Sequence, residues 1–360
     1  MFKKWLKDVY WPLFFAMLAL SALGLMFIYS SSYRDAGEYQ IKQLFWMAVG
    51  FSIFFLMPFV GYRTFLSSSY LLYAVSIVLL IWVDIAGHTR LGAQRWIGIG
   101  PFVIQPSEFA KLSTVLALAN FLGSHHSWEK ENRIILGAVA ITVVPMVLIM
   151  SQPDLGTSLL FIPVLLSVLL LWGIRYRYLI ASVVIGAASA PFLWMFLKEY
   201  QKKRILVFLN PHLDPLGSGY TAIQSKIAVG SGGFWGKGYL QGTQSQLNFV
   251  PEHHTDFIFC VLGEEWGFLG ALLLLGLYAY LFHALFQIIK HTTDFKAKLL
   301  SAGVLSVLFA QVFINIGMSI GMMPIAGLPL PFVSYGGSSF VSISIALGLV
   351  LSVHKERSIF

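Results

Sequence analysis

The feature that most constrains this chain is a series of ten apolar blocks, at residues 10–30, 41–60, 65–87, 107–123, 133–150, 155–173, 177–197, 266–289, 299–322 and 338–354. Each is close to the ~20 residues a helix needs to cross a hydrocarbon core. Inside lipid every backbone N–H and C=O must find a partner within the protein, so such blocks are expected to be helices. Only 11% of the 360 residues are charged, against about 25% in soluble domains, which excludes a disordered chain and argues against a soluble globular one. The expected fold is an all-α polytopic membrane protein. It is a single integral-membrane domain over residues 1–360, with ten transmembrane helices and one large extracytoplasmic loop, residues 198–265, between helices 7 and 8.

The formal charge is +8, and in a membrane protein basic residues first report topology. With the N-terminus inside, Lys3, Lys4, Lys7, Arg63, Lys130, Arg133, Arg175, Arg177, Lys290, Lys296, Lys298, Lys355 and Arg357 all fall on inner segments. The short outer turns near 151–154 and 323–337 hold no Lys or Arg. Both termini are then cytoplasmic. The apolar run from Val9 to Tyr29 is long for a signal peptide and lacks a small-x-small cleavage site, so it reads as a retained first span. Nucleic-acid binding would need a basic stripe on a soluble domain, and no such domain exists. The single cysteine, Cys260, excludes an internal disulfide and a cysteine-based zinc site. The outer face keeps its positive charge mainly in two places: Arg90 and Arg95 in the 88–106 loop, and Lys198, Lys202, Lys203, Arg204, Lys226 and Lys237 in the 198–265 loop. Long loops translocate regardless of charge, so this excess is either incidental or a counter-charge for an anion.

Four polar constellations lie on the outer side. In Gln105-Pro106-Ser107-Glu108-Phe109-Ala110-Lys111, Ser107 can cap a helix, and Glu108 and Lys111 share a face three residues apart. Charges at the start of a span are costly unless paired or facing a cavity. They are therefore either a packing ion pair or a substrate contact. In Gln152-Pro153-Asp154-Leu155-Gly156-Thr157, Asp154 reads first as a helix N-cap. The large loop is crowded with glycines and ends in Pro251-Glu252-His253-His254-Thr255-Asp256-Phe257-Ile258-Phe259. Three readings of Asp256 compete: a helix start stabilised by the helix dipole, a metal ligand with His253 and His254, or a general base at the membrane surface. Adjacent histidines give no recognisable metal-ligand spacing, and no metal ligand is assigned. In the fourth stretch, Pro329-Leu330-Pro331-Phe332-Val333-Ser334-Tyr335-Gly336-Gly337-Ser338-Ser339, prolines and glycines break the helix. Broken backbone near membrane depth is tolerated where it is packed in protein or lines a wet cavity, so this is either a connection or a cavity wall. The inner loops carry no phosphate-binding glycine loop for a cytosolic nucleotide.

These four motifs, in this order and spacing, resemble the SEDS family (shape, elongation, division and sporulation) over nearly the whole chain, with no departure at the motifs. The stretch Gly242-Thr243-Gln244-Ser245-Gln246-Leu247-Asn248-Phe249 is more similar to the elongation branch than to the division branch. The resemblance implies a bacterial inner-membrane glycosyltransferase that polymerises lipid II into peptidoglycan glycan strands. It also implies a class B penicillin-binding protein as crosslinking partner, other elongation-complex membrane proteins beside it, and undecaprenyl-linked glycan as a ligand. Asp256 matches the aspartate the family requires, and Glu108 and Lys111 match its paired charges.

The implied reaction joins a sugar hydroxyl to an anomeric carbon that carries a lipid pyrophosphate. A base must take the hydroxyl proton, and Asp256 is the expected catalytic residue. Burial would raise its pKa and the helix start would lower it, so the sequence leaves the net sign open. No cofactor is assigned. The pyrophosphate needs either a divalent cation such as magnesium or manganese, or positive side chains. The expected substrate-binding residues are Glu108, Lys111, Arg95, Lys202, Lys203, Arg204, His254 and Ser334. Two other classes stay open. One is a lipid II flippase using the intramembrane charges Asp84, Glu108 and Lys111; the other is a non-catalytic scaffold for cell-wall synthases.

Overall fold

The computed structural model describes residues 9–33, 38–90, 93–99, 102–125, 131–215, 217–247 and 249–357. Lys3, Lys4, Lys7, Lys130, Asn248 and the side chain of Arg90 lie outside the described residues.

The chain is nearly all helical. In order, α1 is Trp11–Ser31, α2 Glu38–Val60, α3 Tyr62–Ser67 and α4 Ser69–Ala86. Three short strands follow: β1 His88–Arg90, β2 Ala93–Ile99 and β3 Phe102–Ile104. Next come α5 Pro106–Gly123, α6 Glu131–Ser151, α7 Leu155–Leu159, α8 Phe161–Trp172 and α9 Tyr176–Phe196. The long polar segment forms α10 Glu199–Leu209, a 3₁₀ turn Pro211–Leu213, α11 Ser218–Ser231 and α12 Thr243–Gln246. The chain closes with α13 Ile258–His291, α14 Phe295–Ser319 and α15 Gly337–Arg357.

Among the described residues, eight stretches are helical, long and apolar enough to cross a membrane: α1, α2, α4, α6, the α7–α8 pair, α13, α14 and α15. The two remaining expected spans, 107–123 and 177–197, coincide with the helices α5 and α9. Burial divides the bundle into a centre and a rim. In α15, 72% of the spanning window is buried by protein, against 22% in α2 and in α4. The outward faces of α2 and α4 expose Ile41, Phe45, Leu71, Val78 and Ile85, as lipid-facing surfaces do.

Two features depart from the sequence reading. Residues 88–104 are not an irregular loop but a three-stranded antiparallel ribbon, with Trp96 opposite His88 and Val103 opposite Gly98. Strands suit this segment because Trp96, Ile97, Ile99, Val103 and Ile104 are β-branched or aromatic. The expected loop boundary at 265 is also displaced, because α13 starts at Ile258. The helix breaks at Gly267 (φ 61°, ψ −151°), where an added Cβ would lie 2.4 Å from the Gly236 nitrogen. That close approach, open only to glycine, joins the opening turns, residues 258–266, to the long apolar span that follows.

Glu264 and Glu265 close this junction. Glu264 is fully buried and accepts hydrogen bonds from Lys237 Nζ (2.7 Å), Thr243 Oγ1 (3.1 Å), Gln244 N (2.9 Å) and Ser245 N (3.2 Å). One carboxylate thereby caps α12 and pins the glycine-rich turn before it. Glu265 accepts from Ser30 Oγ at the end of α1.

Candidate active site

The polar motifs meet in space. Asp154 caps α7, accepting from Thr157 N (3.1 Å) and Thr157 Oγ1 (2.9 Å). Arg95 reaches this turn from β2. Its Nε donates to Gln152 O at 3.0 Å, its Nη2 donates to Pro153 O, and its Nη1 lies 3.6 Å from Asp154 Oδ2. Gly156 lets the turn press on the 326–327 backbone, since an added Cβ would lie 2.1 Å from Ala326 O. The motif around 105 joins through Ser338, whose hydroxyl accepts from Gln105 N (3.2 Å) and donates to Val103 O (3.2 Å).

Asp256 sits in the turn before α13, half-buried, with its Oδ2 3.4 Å from where a Cβ on Gly327 would be. Among the described residues nothing donates a hydrogen bond to its carboxylate, although its own carbonyl accepts from Asn315 Nδ2 at 2.8 Å. Burial pushes its pKa up to about 7, helped by the negative charges of Glu252 and Asp154 and opposed by Arg95 and Arg204. The helix start does not win, because desolvation of the carboxylate outweighs it. Arg204, on α10, is half-buried too. Burial and the nearby Arg95 lower its pKa, while Asp154, Tyr200 and Asp256 raise it.

The neighbouring motif residues hold this turn in place. Ser334 Oγ donates to Thr255 O (2.5 Å) and accepts from Leu330 N (2.7 Å), so its hydroxyl is committed to the backbone. Tyr335 N donates to His254 O (3.0 Å), and the His254 ring lies 4.4 Å from the Tyr39 ring. His253 is buried, its Nε2 2.9 Å from Ser31 O and its Nδ1 3.0 Å from Val250 O. Glu252 (φ 51°) and Phe332 (φ 65°) occupy the left-handed region, a strain of about 1–3 kcal/mol each, which these contacts hold.

The remaining expected residues fall elsewhere. Glu108 and Lys111 form a buried pair at 2.9 Å, with Ser342 Oγ donating to Glu108 (3.1 Å) and Lys111 donating to Gln311 Oε1 (3.3 Å). They line a narrow cleft between α5, α14 and α15. Lys202 pairs with Glu199 (3.1 Å) and Lys203 with Asp214 (3.0 Å), both local partners. Asp84 lies within 3.5 Å of Ser151 Oγ.

Three supporting residues escaped the sequence reading. The non-helical backbone at 328–331 is largely buried and leaves carbonyls that no helix pairs, and each must be satisfied. Asn315 donates to Leu328 O (2.6 Å), Gln311 to Pro329 O (2.9 Å) and Tyr278 to Pro331 O (2.6 Å). Gln311 and Asn315 are fully buried and four apart on α14. A polar pair at helical spacing inside an apolar span was the available signal. Through them the Lys111 pair and the Asp256 turn share one helix. Asn315→Ala is expected to cost about 1–3 kcal/mol for each carbonyl left unpaired. The check is thermal unfolding in detergent, and an unchanged melting temperature would sink this assignment.

The fold is a multi-pass helical membrane bundle that carries, at this turn, a carboxylate accepting no hydrogen bond among the described residues and feeling the charges of Arg95 and Arg204. The chain belongs to the FtsW/RodA/SpoVE family of cell cycle proteins, whose family model matches residues 11–359. It is 42% identical over 344 residues to the peptidoglycan glycosyltransferase MrdB of Escherichia coli (strain K12), covering 95% of this chain and 92% of that protein. It is 35% identical to the peptidoglycan glycosyltransferase RodA of Treponema pallidum (strain Nichols), with 98% of each covered. A chain solved in work on the structural coordination of polymerization and crosslinking by a peptidoglycan synthase complex superposes with a TM-score of 0.84 at 35% identity, covering 97% of this chain and 98% of that one. The rod shape determining protein RodA of Thermus thermophilus superposes with a TM-score of 0.73 at 29% identity, with 97% of each covered.

Proposed function

We propose that this chain is a peptidoglycan glycosyltransferase that polymerises lipid II on the outer face of the bacterial inner membrane during cell elongation, with Asp256 as general base. The family membership and the names of its relatives support the reaction class. The observation that carries the residue assignment is the Asp256 carboxylate: unpaired, half-buried, with a pKa of about 7, beside Arg95 and Arg204. In this reading the bundle spans the membrane ten times, both termini are cytoplasmic and the 198–257 segment is extracytoplasmic.

The step is a single displacement. Asp256 takes the proton of the acceptor sugar hydroxyl as its oxygen attacks the anomeric carbon. The bond from that carbon to the lipid pyrophosphate breaks, and the pyrophosphate leaves with the electron pair. Because the leaving group is already a stable anion, no second carboxyl is needed to protonate it, unlike glycoside hydrolysis. Arg95 and Arg204 supply preorganised positive charge where negative charge grows. Among the described residues no three His, Cys, Asp or Glu side chains converge on one point; a magnesium or manganese ion here would be held by one or two carboxylates together with the substrate's pyrophosphate.

A base works only when ionised, so activity should fall as pH drops through about 7. At pH 6 roughly a tenth of Asp256 remains ionised. Glu252 is the largest charge raising that pKa. Glu252→Gln should therefore move the acidic limb of kcat/KM to lower pH, and a limb that stays in place would remove Asp256 as its source.

The test of the whole reading is polymerisation of purified lipid II by the chain together with a class B penicillin-binding protein, the partner expected to crosslink the strands alongside other elongation-complex membrane proteins. Lipid II translocation in vesicles without glycan synthesis would support a flippase instead.

A further inference from the structure

Four of the described cations on this side of the bundle are held by carboxylates. Arg95 is tied to Asp154, Lys202 to Glu199, Lys203 to Asp214 and Lys237 to Glu264. Arg204 and Lys226 form no salt bridge and donate no hydrogen bond among the described residues, yet they line the same cleft. That cleft lies open to solvent between α10, α11 and the 321–325 segment after α14. Gly321 (φ +76°) leaves the gap through which Lys226 reaches it, since an added Cβ would lie 1.7 Å from Lys226 Cε. The rest of the wall is mostly apolar, including Val207, Phe208, Met323 and Ile325.

Two unpaired cations beside an apolar wall suit an amphiphile with a compact anionic head. Arg204 faces both ways, since it also feels the charges of Asp154 and Asp256. The cleft is separate from the one that holds Glu108 and Lys111.

We propose that the Arg204–Lys226 cleft binds the pyrophosphate of the donor lipid, Arg204 taking the phosphate next to the reacting carbon and Lys226 the one that bears the isoprenoid. This rests on the glycosyltransferase reading. In a single displacement the leaving oxygen lies one bond from the carbon under attack, on the face opposite the hydroxyl that Asp256 deprotonates. Its counter-charge therefore sits across the reacting carbon from the base, near enough to feel it, and Arg204 is the cleft residue electrostatically coupled to Asp256. The apolar wall then receives the first isoprene units and guides the chain towards the bilayer.

The test uses the full chain in nanodiscs, with binding of farnesyl pyrophosphate, inorganic pyrophosphate and phosphatidylglycerol measured separately. Lys226 is exposed, so its substitution should leave the fold intact, and a melting curve checks this. Lys226→Glu is expected to weaken farnesyl pyrophosphate binding roughly ten- to a hundredfold, as loss of a charged hydrogen bond does. It should raise KM for lipid II by a similar factor, and Lys226→Arg should restore both. Farnesyl pyrophosphate should bind more tightly than inorganic pyrophosphate and be indifferent to phosphatidylglycerol. Equal binding by wild type and Lys226→Glu would overturn the proposal, and so would displacement of the probe by phosphatidylglycerol. Asp256→Asn should bind the probe normally while making no glycan. A wild-type chain that binds the probe through Lys226 but synthesises nothing would instead overturn the glycosyltransferase reading.

Discussion

Asp256→Asn is expected to lower glycan polymerisation by about 10²–10⁴-fold, the range a positioned general base contributes, while the variant melts at a higher temperature than the wild type. The two effects have one cause. A carboxylate whose folded-state pKa is about 7 rather than the ordinary 3.8 is harder to ionise in the folded protein than in the unfolded chain. The folded state therefore binds more protons between those values, and stability falls as pH rises from about 4 towards 7. At neutral pH the ionised residue is a stability cost, and the neutral amide relieves it. Polymerisation of lipid II and thermal unfolding, measured on the same preparation, separate this outcome from misfolding. A variant with normal synthesis sinks the base assignment, and one with lost activity and a lowered melting temperature points to a collapsed turn.

The second large effect is at the buried pair. Lys111→Met leaves Glu108 charged and buried against Ser342 alone, which is expected to cost about 3–5 kcal/mol. The double replacement Glu108→Gln with Lys111→Met removes both charges and should cost much less, because uncharged groups of similar volume often replace a buried ion pair at little loss. Melting temperatures of the two singles and the double form a cycle that isolates the coupling. If the single and the double are equally unstable, the charges do not depend on each other. The double variant also addresses a question left open by the sequence: stability without polymerisation would assign the pair to substrate, and stability with polymerisation would assign it to packing.

Much of the site was legible at the level of motifs. Asp154 as an N-cap follows from a short polar side chain before an apolar turn, and the structure shows that cap. The Glu108–Lys111 contact follows from a spacing of three on a helix. What spacing could not supply was the sorting of the outer cations. Lys202, Lys203 and Arg204 are consecutive, yet on α10 they point in different directions. Two find local carboxylates, and the third has none within salt-bridge reach and feels the more distant charges of Asp154 and Asp256. The ribbon at 88–104 was missed because its strands are only three to seven residues long, too short for an alternating pattern to stand out.

By itself, the sequence determined that the chain is a helical membrane protein and where most of its spans lie. Hydropathy summed over about 20 residues is a local property that no tertiary arrangement can reverse in a bilayer. Gly267, a single residue of positive φ, marks the point where the eighth expected span begins. Only the tertiary structure decided that Arg95 and Asp256, far apart in the chain, act on one another, and that Asn315, Gln311 and Tyr278 hold the broken backbone beside them. It alone set the sign of the Asp256 shift. That sign is a balance of desolvation and four neighbouring charges, and Asp154, Arg95 and Arg204 reach the carboxylate through the fold rather than along the chain.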